Sequence, residues 1–258
     1  MQWLGDYLGR SGLKGFTVGV SGGIDSAVSS TLCALTGKTL IALNMPIYQA
    51  EDQLSRSSKH ISWLEKTFSN VKGLDIELTP IFERIKASFP ADIQDGLTMA
   101  NTRSRLRMLT LYAAASHHNL LVVGTGNKVE DFGIGFFTKY GDGGVDISPI
   151  ADLMKTEVYA LGKELGIQEE ILNAPPTDGL WEDNRKDEEQ IGASYAELEQ
   201  AMQYIASGET KMLTKRKKEV LDIFKQLNAA NQHKMQPVPV CAVPDILRIF
   251  LILYVTII

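Results

Sequence analysis

A short run of small and acidic residues, Ser21-Gly22-Gly23-Ile24-Asp25-Ser26, carries the clearest chemical signal in this chain of 258 residues. It follows an apolar, partly β-branched run at 15–20 that predicts a buried strand, and it precedes a predicted helix at 27–35. Glycines let a backbone approach a phosphate closely, and a helix N-terminus offers unpaired N–H groups and the positive end of its dipole. The segment therefore predicts a phosphate cradle, with Asp25 placed to hold a metal ion on that phosphate. It is not a Walker A loop, because no G-x-x-x-x-G-K-[ST] string occurs.

A second predicted strand, at 120–123, ends in a similar polar loop, Gly124-Thr125-Gly126-Asn127-Lys128-Val129-Glu130. If the two strands are close neighbours, Asp25 and Glu130 face each other across one metal ion. Mg²⁺ binds carboxylate and phosphate oxygens together and usually keeps several waters. The alternative interpretation of Glu130 is a solvated loop residue.

Strand-like and helix-like patterns alternate along the chain, which predicts the α/β class with a doubly wound parallel sheet and flanking helices. Ligands of such sheets bind beyond the carboxyl ends of the strands, where both polar loops lie. Further strands are predicted at 39–43 and 74–78, and helices at 51–68, 81–89, 97–118, 187–206 and 213–227. The glycine-rich stretch 136–146 predicts an irregular loop.

The composition is that of a soluble globular protein, with 44% hydrophobic and 22% charged residues and a net charge of −5. This charge argues against a nucleic-acid partner, which usually meets a basic protein. Two cysteines, Cys33 and Cys241, are too few for a disulfide framework, and Cys33 is expected to be a packed thiol. No signal peptide is apparent at the N-terminus, so we expect a cytoplasmic protein.

The end of the chain is unusually apolar. Residues 249–258 are nearly all hydrophobic, but a membrane span needs about 20 such residues, so we expect no membrane partner. A buried terminal element, a partner-contact segment and a miscalled reading frame remain open, and we favour a non-functional explanation. We expect one domain at 1–244 and an atypical apolar tail at 245–258.

Taken together, these motifs resemble a known family. The loop at Ser21 is similar to the pyrophosphate loop of the N-type ATP pyrophosphatases, which split ATP between the α and β phosphates. Over about residues 2–244 the chain resembles bacterial NH3-dependent NAD synthetases. The remaining motifs that carry this resemblance are N-x-x-x-R-x-R-M at 101–108, G-T-G-N-K-x-E at 124–130, F-F-T-K-Y-G-D-G-G-V-D at 136–146, A-P-P-T-D at 174–178, and N-Q-H-K at 231–234 with the Pro-rich stretch after it.

The resemblance implies an adenine nucleotide α-hydrolase-like fold and a ligase reaction, the final step of NAD biosynthesis. ATP, deamido-NAD and ammonia would give AMP, pyrophosphate and NAD through an NAD-adenylate intermediate. It also implies Mg²⁺, a homodimer, and deamido-NAD bound near the subunit interface. Adenylation gives the nicotinate carboxylate a good leaving group, so the protein needs no nucleophilic side chain and acts by positioning and charge neutralisation.

The resemblance further implies which residues bind the substrates. ATP would contact Gly19, Val20, Ser21, Gly22, Gly23, Ile24, Asp25, Ser26, Thr125, Lys155 and Thr177. Deamido-NAD would contact Arg105, Lys139, Asp146, His233 and Lys234, and Mg²⁺ would be held by Asp25 and Glu130.

The residue types at these positions give partial support. Asn101 and Arg105 are four apart on a predicted helix and share a face, whereas Arg103 and Arg107 are interpreted as ordinary solvated charges. Lys155 begins a predicted helix, where a cation is disfavoured without a nearby anion, and this indicates a phosphate partner.

Three questions stay open at this point. Glutamine-dependent NAD synthetases carry an amidase domain before the synthetase part, and a loop that begins at residue 21 leaves no room for one. We therefore expect direct use of ammonia, while a glutaminase on another polypeptide remains possible. The alternatives to NAD synthesis are another ATP pyrophosphatase-type amidating ligase and a non-catalytic nucleotide-binding subunit.

Overall fold

A computed structural model describes residues 1–177, 179–181, 186–208 and 212–248 of the chain. Within these residues a parallel sheet forms the centre of the fold. Its strands are Gly15–Gly19 (β1), Thr39–Asn44 (β2), Val71–Asp75 (β3) and Leu120–Val123 (β4). They pair in the order β3-β2-β1-β4.

Helices connect the strands and continue after them. Up to β4 they are Gln2–Ser11 (α1), Ile24–Ala34 (α2), Glu51–Thr67 (α3), Thr79–Ser88 (α4) and Gly96–His118 (α5), with a short 3₁₀ turn at Ala91–Ile93. After β4 come a π-helix at Lys128–Ile134 and the α-helices Lys155–Glu164 (α6), Glu169–Leu172 (α7), Asp187–Ile191 (α8), Tyr195–Ser207 (α9) and Lys215–Met235 (α10).

The sheet is buried on both faces because alternate side chains of each strand point to opposite sides. Phe16 and Leu40 pack in one cluster with α1, α2 and α3. Ile41 and Val122 pack in a second cluster with α4 and α5. This confirms the predicted doubly wound α/β architecture.

The two polar loops of the sequence meet because β1 and β4 are adjacent. Val18 pairs with Val123 in parallel register, so both strands end at the same edge of the sheet. β1 also pairs with β2 on its other side, and the chain therefore reverses its direction of winding beside β1. A crevice forms at such a switch point, and this is where open α/β sheets bind ligands.

A separate apolar cluster supports the segment after β4. Val129 and Ile134 of the π-helix pack against Leu198 of α9 and Phe224 of α10. These helices thereby fix the loop that follows β4 and with it the position of Glu130.

Several predicted boundaries were wrong. The strand predicted at 74–78 lies at Val71–Asp75, because β3 is an edge strand that tolerates Lys72 and Gly73 while the apolar residues after it leave the sheet. The helix predicted at 187–206 is split, since Gly192 adopts φ +84° and Ser194 caps a new helix. α2 begins three residues earlier than expected, at Ile24.

Among the described residues, no helix is both long and apolar enough to cross a membrane. The apolar stretch 249–258 lies outside the described residues. The buried thiol of Cys33, packed between α2 and the sheet, agrees with the sequence expectation.

Candidate active site

The loop after β1 leaves the start of α2 open to a cavity of about 250 Å³. Gly22 adopts φ +82°, and a Cβ there would lie 2.8 Å from the Gln53 carbonyl oxygen, so both conformation and space require glycine. The Ser26 hydroxyl donates to the Gly23 carbonyl (3.0 Å) and accepts from the Ser21 amide (3.2 Å), which fixes the loop. No described side chain caps the start of α2, and its first residues line the cavity. An uncapped helix start of this kind favours an anion.

Three charged side chains meet at this helix start. Lys155, the first residue of α6, places its Nζ 2.6 Å from Asp25 Oδ2 and 3.0 Å from Glu130 Oε1. The lysine side chain is 4% exposed, and the two carboxylates are 18% and 16% exposed. Asp25 and Glu130 therefore face one positive group, as expected if β1 and β4 are neighbours, while the metal ion predicted between them stays a prediction.

The three charged groups of the cluster shift one another's pKa values. Burial lowers the pKa of Lys155, but the two adjacent carboxylates raise it well above its usual value, so the ammonium stays protonated. Burial raises the pKa of Asp25, and Lys155 opposes that rise. Burial also opposes ionisation of Glu130. The Lys155 charge and the hydrogen bonds that the Glu130 carboxylate accepts nevertheless hold the pKa of Glu130 below its usual range. The Lys155 ammonium therefore favours the ionised form of both carboxylates, against the effect of burial.

The interpretation of Lys155 therefore changes. A lysine at a helix start is unfavourable alone, which from the sequence indicates a phosphate partner. The protein's own carboxylates, Asp25 and Glu130, already stabilise the ammonium there. The position of Lys155 alone is consequently no evidence for a phosphate.

Asn127 organises the second loop, a role for which the sequence carries no signal. It is fully buried, and its Oδ1 accepts hydrogen bonds from the Val129 and Glu130 amides (3.1 Å each) at the start of the π-helix. Its Nδ2 donates to Asp25 Oδ1 (3.1 Å). One amide side chain thus joins the two carboxylate loops, and the wider π-helical turn that it caps is a geometry often found at functional sites.

Asp131 is a further acidic residue of the cavity that sequence reasoning missed. Its carboxylate lies over Gly126, where a Cβ would be 2.0 Å from Asp131 Oδ2. Burial, followed by the charge of Glu130, raises the pKa of Asp131 well above its usual value.

The interpretation of Arg103 and Arg107 as solvated charges was wrong. Arg103 is 6% exposed, donates to the Leu180 carbonyl, and lies 4.9 Å from the centre of the Phe82 ring. Arg107 lines the cavity and donates to the Met45 carbonyl (3.1 Å). Other segments cover the parts of α5 that carry Arg103 and Arg107, so position on a helical wheel did not reveal these contacts.

The residues predicted to bind deamido-NAD lie outside this cavity. Every residue predicted for ATP or metal lines it, whereas none of the five predicted for deamido-NAD does. Arg105 donates to the Lys139 carbonyl (3.4 Å), and Lys139 donates to the His233 carbonyl. Lys234 donates to the carbonyls of Gly135 and Phe137 (2.9 Å each), so these four residues form one group beside segment 135–139.

Asp146 makes its side-chain hydrogen bonds away from that group. Its Oδ2 accepts from the Val122 amide (2.8 Å), and its Oδ1 accepts from the Tyr112 hydroxyl (2.9 Å). Here it fastens the glycine-rich loop 136–146 to β4 and α5. That segment contains no α-helix or strand, in agreement with the sequence expectation.

The arrangement fits a bound cation that is shared with a phosphate. Asp25 and Glu130 both line the cavity and converge on the Lys155 ammonium, so a cation would bind beside that ammonium. Among the described residues, no three His, Cys, Asp or Glu side chains form a metal site by themselves. Two carboxylates with phosphate and water oxygens are what Mg²⁺ uses at nucleotide sites.

A parallel sheet with an uncapped helix start and a carboxylate pair at its switch point defines a nucleotide-binding α/β protein. The family model described as NAD synthase matches residues 1–238. The chain belongs to the NAD synthase family.

Individual relatives agree with this assignment. The chain is 38% identical to the NH(3)-dependent NAD(+) synthetase of Mycoplasma genitalium over 236 residues, which cover 90% of this chain and 89% of the relative. Its fold matches the structure of NMN synthetase from Francisella tularensis with a TM-score of 0.83 and 31% identity, covering 94% and 95% of the two chains. It also matches the NH3-dependent NAD synthetase from Campylobacter jejuni in complex with the nitrate ion, with a TM-score of 0.75, 26% identity, and 93% and 95% coverage.

Proposed function

We propose that the protein forms NAD from deamido-NAD and ammonia, with cleavage of ATP to AMP and pyrophosphate. The observation that carries this proposal is the cluster of Asp25, Glu130 and Lys155 beside the uncapped start of α2. The cluster supplies both signs of charge needed at a phosphate and its metal ion. Membership of the NAD synthase family supplies the substrate class.

The chemistry proceeds in two displacements. In the first, an oxygen of the nicotinate carboxylate attacks the α-phosphorus of ATP, and the bond to the pyrophosphate oxygen breaks. In the second, the ammonia nitrogen attacks the acyl carbon, the acyl–oxygen bond breaks, and AMP leaves with the electron pair while the nitrogen loses a proton. The amides of the loop at 21–26 and the ammonium of Lys155 stabilise the phosphate charge that develops in these steps.

Asp25 and Glu130 are the residues that would hold Mg²⁺. When bound, the ion neutralises phosphate charge. The chain's own groups act around it, since Asn127 fixes the orientation of Asp25 and the backbone of Glu130. Lys155 contacts both carboxylates and offsets part of their negative charge.

The proposed function is tested by product formation from the purified full chain. ATP, deamido-NAD and Mg²⁺ are supplied with ammonium or with glutamine, and NAD, AMP and pyrophosphate are quantified. Equal amounts of all three products with ammonium, and none with glutamine, are expected. AMP and pyrophosphate without NAD would place the failure in the second displacement, and no turnover of a folded protein would contradict the proposal.

A second candidate substrate is nicotinate mononucleotide, whose amidation by the same chemistry gives NMN. Two observations favour it. One solved structure that matches this fold is an NMN synthetase, with the TM-score of 0.83 given above. In addition, the ammonium groups of Lys139 and Lys234, which the resemblance assigns to deamido-NAD, donate hydrogen bonds to backbone carbonyls of the protein itself. Comparing kcat/KM for deamido-NAD and nicotinate mononucleotide separates the two, and a higher value for the mononucleotide would replace the first proposal.

We also propose that the protein is a homodimer formed through α5. Four exposed residues recur at helical spacing along one strip of this helix, namely Arg105, Leu109, Ala113 and Ser116. The strip combines small side chains with the large apolar Leu109, which is 62% exposed. Arg105 links the strip to the group beside segment 135–139. A partner subunit on this strip would therefore lie next to the residues assigned to deamido-NAD.

Replacing Leu109 by glutamate is expected to convert the dimer to a monomer, because it places a charge in the contact where an apolar side chain would be buried. Size-exclusion chromatography with light scattering measures the mass. Trp3→Glu, which places the same charge on exposed α1, serves as the matched control and should stay dimeric. A monomeric wild type, or a Leu109→Glu dimer of unchanged affinity, would contradict the assignment of the interface.

A further inference from the structure

The Glu130 carboxylate has a second close contact besides Lys155, the phenol of Tyr195. Tyr195 is 5% exposed, and its hydroxyl lies 2.5 Å from Glu130 Oε1 and 3.3 Å from Asp187 Oδ2. A phenol has one hydrogen to donate, and the shorter contact identifies Glu130 as its acceptor. The ring also lies 4.6 Å from Lys155 Nζ, within the range of a cation–π contact. One side chain therefore touches two of the three charged groups of the cluster.

Contacts made by residues before and after Tyr195 in the sequence hold it in place. It is the first residue of α9, directly after Ser194, whose hydroxyl accepts from the Glu197 amide and caps the helix. One turn along the same face, Glu199 accepts hydrogen bonds from the Thr156 amide (2.9 Å) and hydroxyl (2.8 Å). Since Thr156 follows Lys155, α9 is fixed to the first turn of α6 at the cluster itself.

The Tyr195 hydroxyl also lies near Asp187, which lines another part of the cavity. Asp187 begins α8, and its amide donates to the Pro176 carbonyl (3.2 Å). The next residue, Thr177, lines the cavity. Tyr195 thus stands between the Glu130 carboxylate and the loop that ends at Thr177.

We propose that Tyr195 is a positioning residue of the ATP site, whose hydroxyl fixes the Glu130 carboxylate for cation binding. This inference rests on the proposed function for the identity of the cation and the nucleotide. The sequence did not point to it, because a tyrosine at the start of an amphipathic helix is typical of a core residue. A hydroxyl that orients a ligating carboxylate acts on cation affinity, and changes at such outer positions cost about 10–100-fold in metal affinity.

The test is Tyr195→Phe, which removes the hydroxyl and keeps the ring over Lys155. The Mg²⁺ concentration for half-maximal activity is expected to rise about 10–100-fold, with the KM for deamido-NAD unchanged and kcat recovered at saturating Mg²⁺. Binding of Mn²⁺ in the presence of α,β-methylene ATP, followed by the electron paramagnetic resonance signal of free Mn²⁺, should weaken by the same factor. This second readout does not depend on turnover.

Tyr7→Phe on α1 is the matched control, since it removes a phenol hydroxyl far from the cluster and should alter neither readout. Unchanged Mg²⁺ and Mn²⁺ dependence in Tyr195→Phe, with a loss of thermal stability alone, would overturn the proposal. If the wild type makes no NAD but Mn²⁺ binding still weakens in Tyr195→Phe, the proposed reaction fails while the positioning role stands.

Discussion

Turnover of Lys155→Met is expected to fall by at least about 10²–10³-fold, the cost of removing one preorganised group that stabilises transition-state charge. Methionine keeps much of the length of the side chain but removes the ammonium that lies 2.6 Å from Asp25 and 3.0 Å from Glu130. Steady-state kinetics with saturating substrates measure the loss. A variant that keeps more than about a tenth of wild-type kcat would contradict the role given to this lysine.

The same substitution also tests the electrostatics of the cluster. Loss of the ammonium leaves two buried like charges without their partner, and removing one partner of a buried ion pair costs about 3–5 kcal/mol in the free energy of unfolding. Mg²⁺ without nucleotide should raise the Tm of Lys155→Met more than that of the wild type. In the variant, Asp25 and Glu130 have lost the Lys155 ammonium, so a bound Mg²⁺ replaces the missing positive charge. Lys59→Met removes an exposed pair with Glu170 (2.7 Å) and should change stability by about 0–1 kcal/mol.

Gly22→Ala is expected to weaken ATP binding and the fold together. The backbone at φ +82° costs an alanine about 1–2 kcal/mol. The added Cβ also meets the Gln53 carbonyl oxygen at 2.8 Å and the Ser57 amide nitrogen at 3.0 Å, and such overpacking adds about 1–3 kcal/mol. Relief of this overlap moves the loop away from α3, so the KM for ATP should rise sharply.

The chain offers a matched control for this glycine. Gly12 has a similar φ of +71°, but an added Cβ there would have no heavy atom within 4 Å. Gly12→Ala should therefore show the backbone cost alone in chemical denaturation, with an unchanged KM for ATP. Equal losses of stability in the two variants would contradict the claim that α3 leaves no room for a side chain at residue 22.

The sequence predicted the centre of the site because its signals are local. A strand, a small-residue loop and a helix start are consecutive at 15–34, and the loop after β4 repeats the pattern with Glu130. Adjacency of the two loops followed from the parallel sheet once β1 and β4 paired. The edge strand β3 was misplaced because its residues are only partly buried and carry little apolar pattern.

The residues that sequence reasoning missed act through contacts distant along the chain. Tyr195 meets Glu130 across 65 positions, and Arg103 meets Leu180 across 77. Asn127 was within the predicted loop, yet nothing in its spacing distinguished a helix cap from a solvated amide. Such roles depend on how α5, α6 and α9 pack, and periodicity reports only which face of a helix is apolar.

Isotope transfer from the nicotinate carboxylate tests the central claim most directly. Deamido-NAD labelled with ¹⁸O in that carboxylate is converted with ATP, Mg²⁺ and ammonium, and the released AMP and pyrophosphate are analysed by mass spectrometry. Attack of the carboxylate on the α-phosphorus predicts one ¹⁸O in AMP and none in pyrophosphate. NAD formed together with unlabelled AMP would contradict an adenylate intermediate, and with it the role assigned to the cluster of Asp25, Glu130 and Lys155.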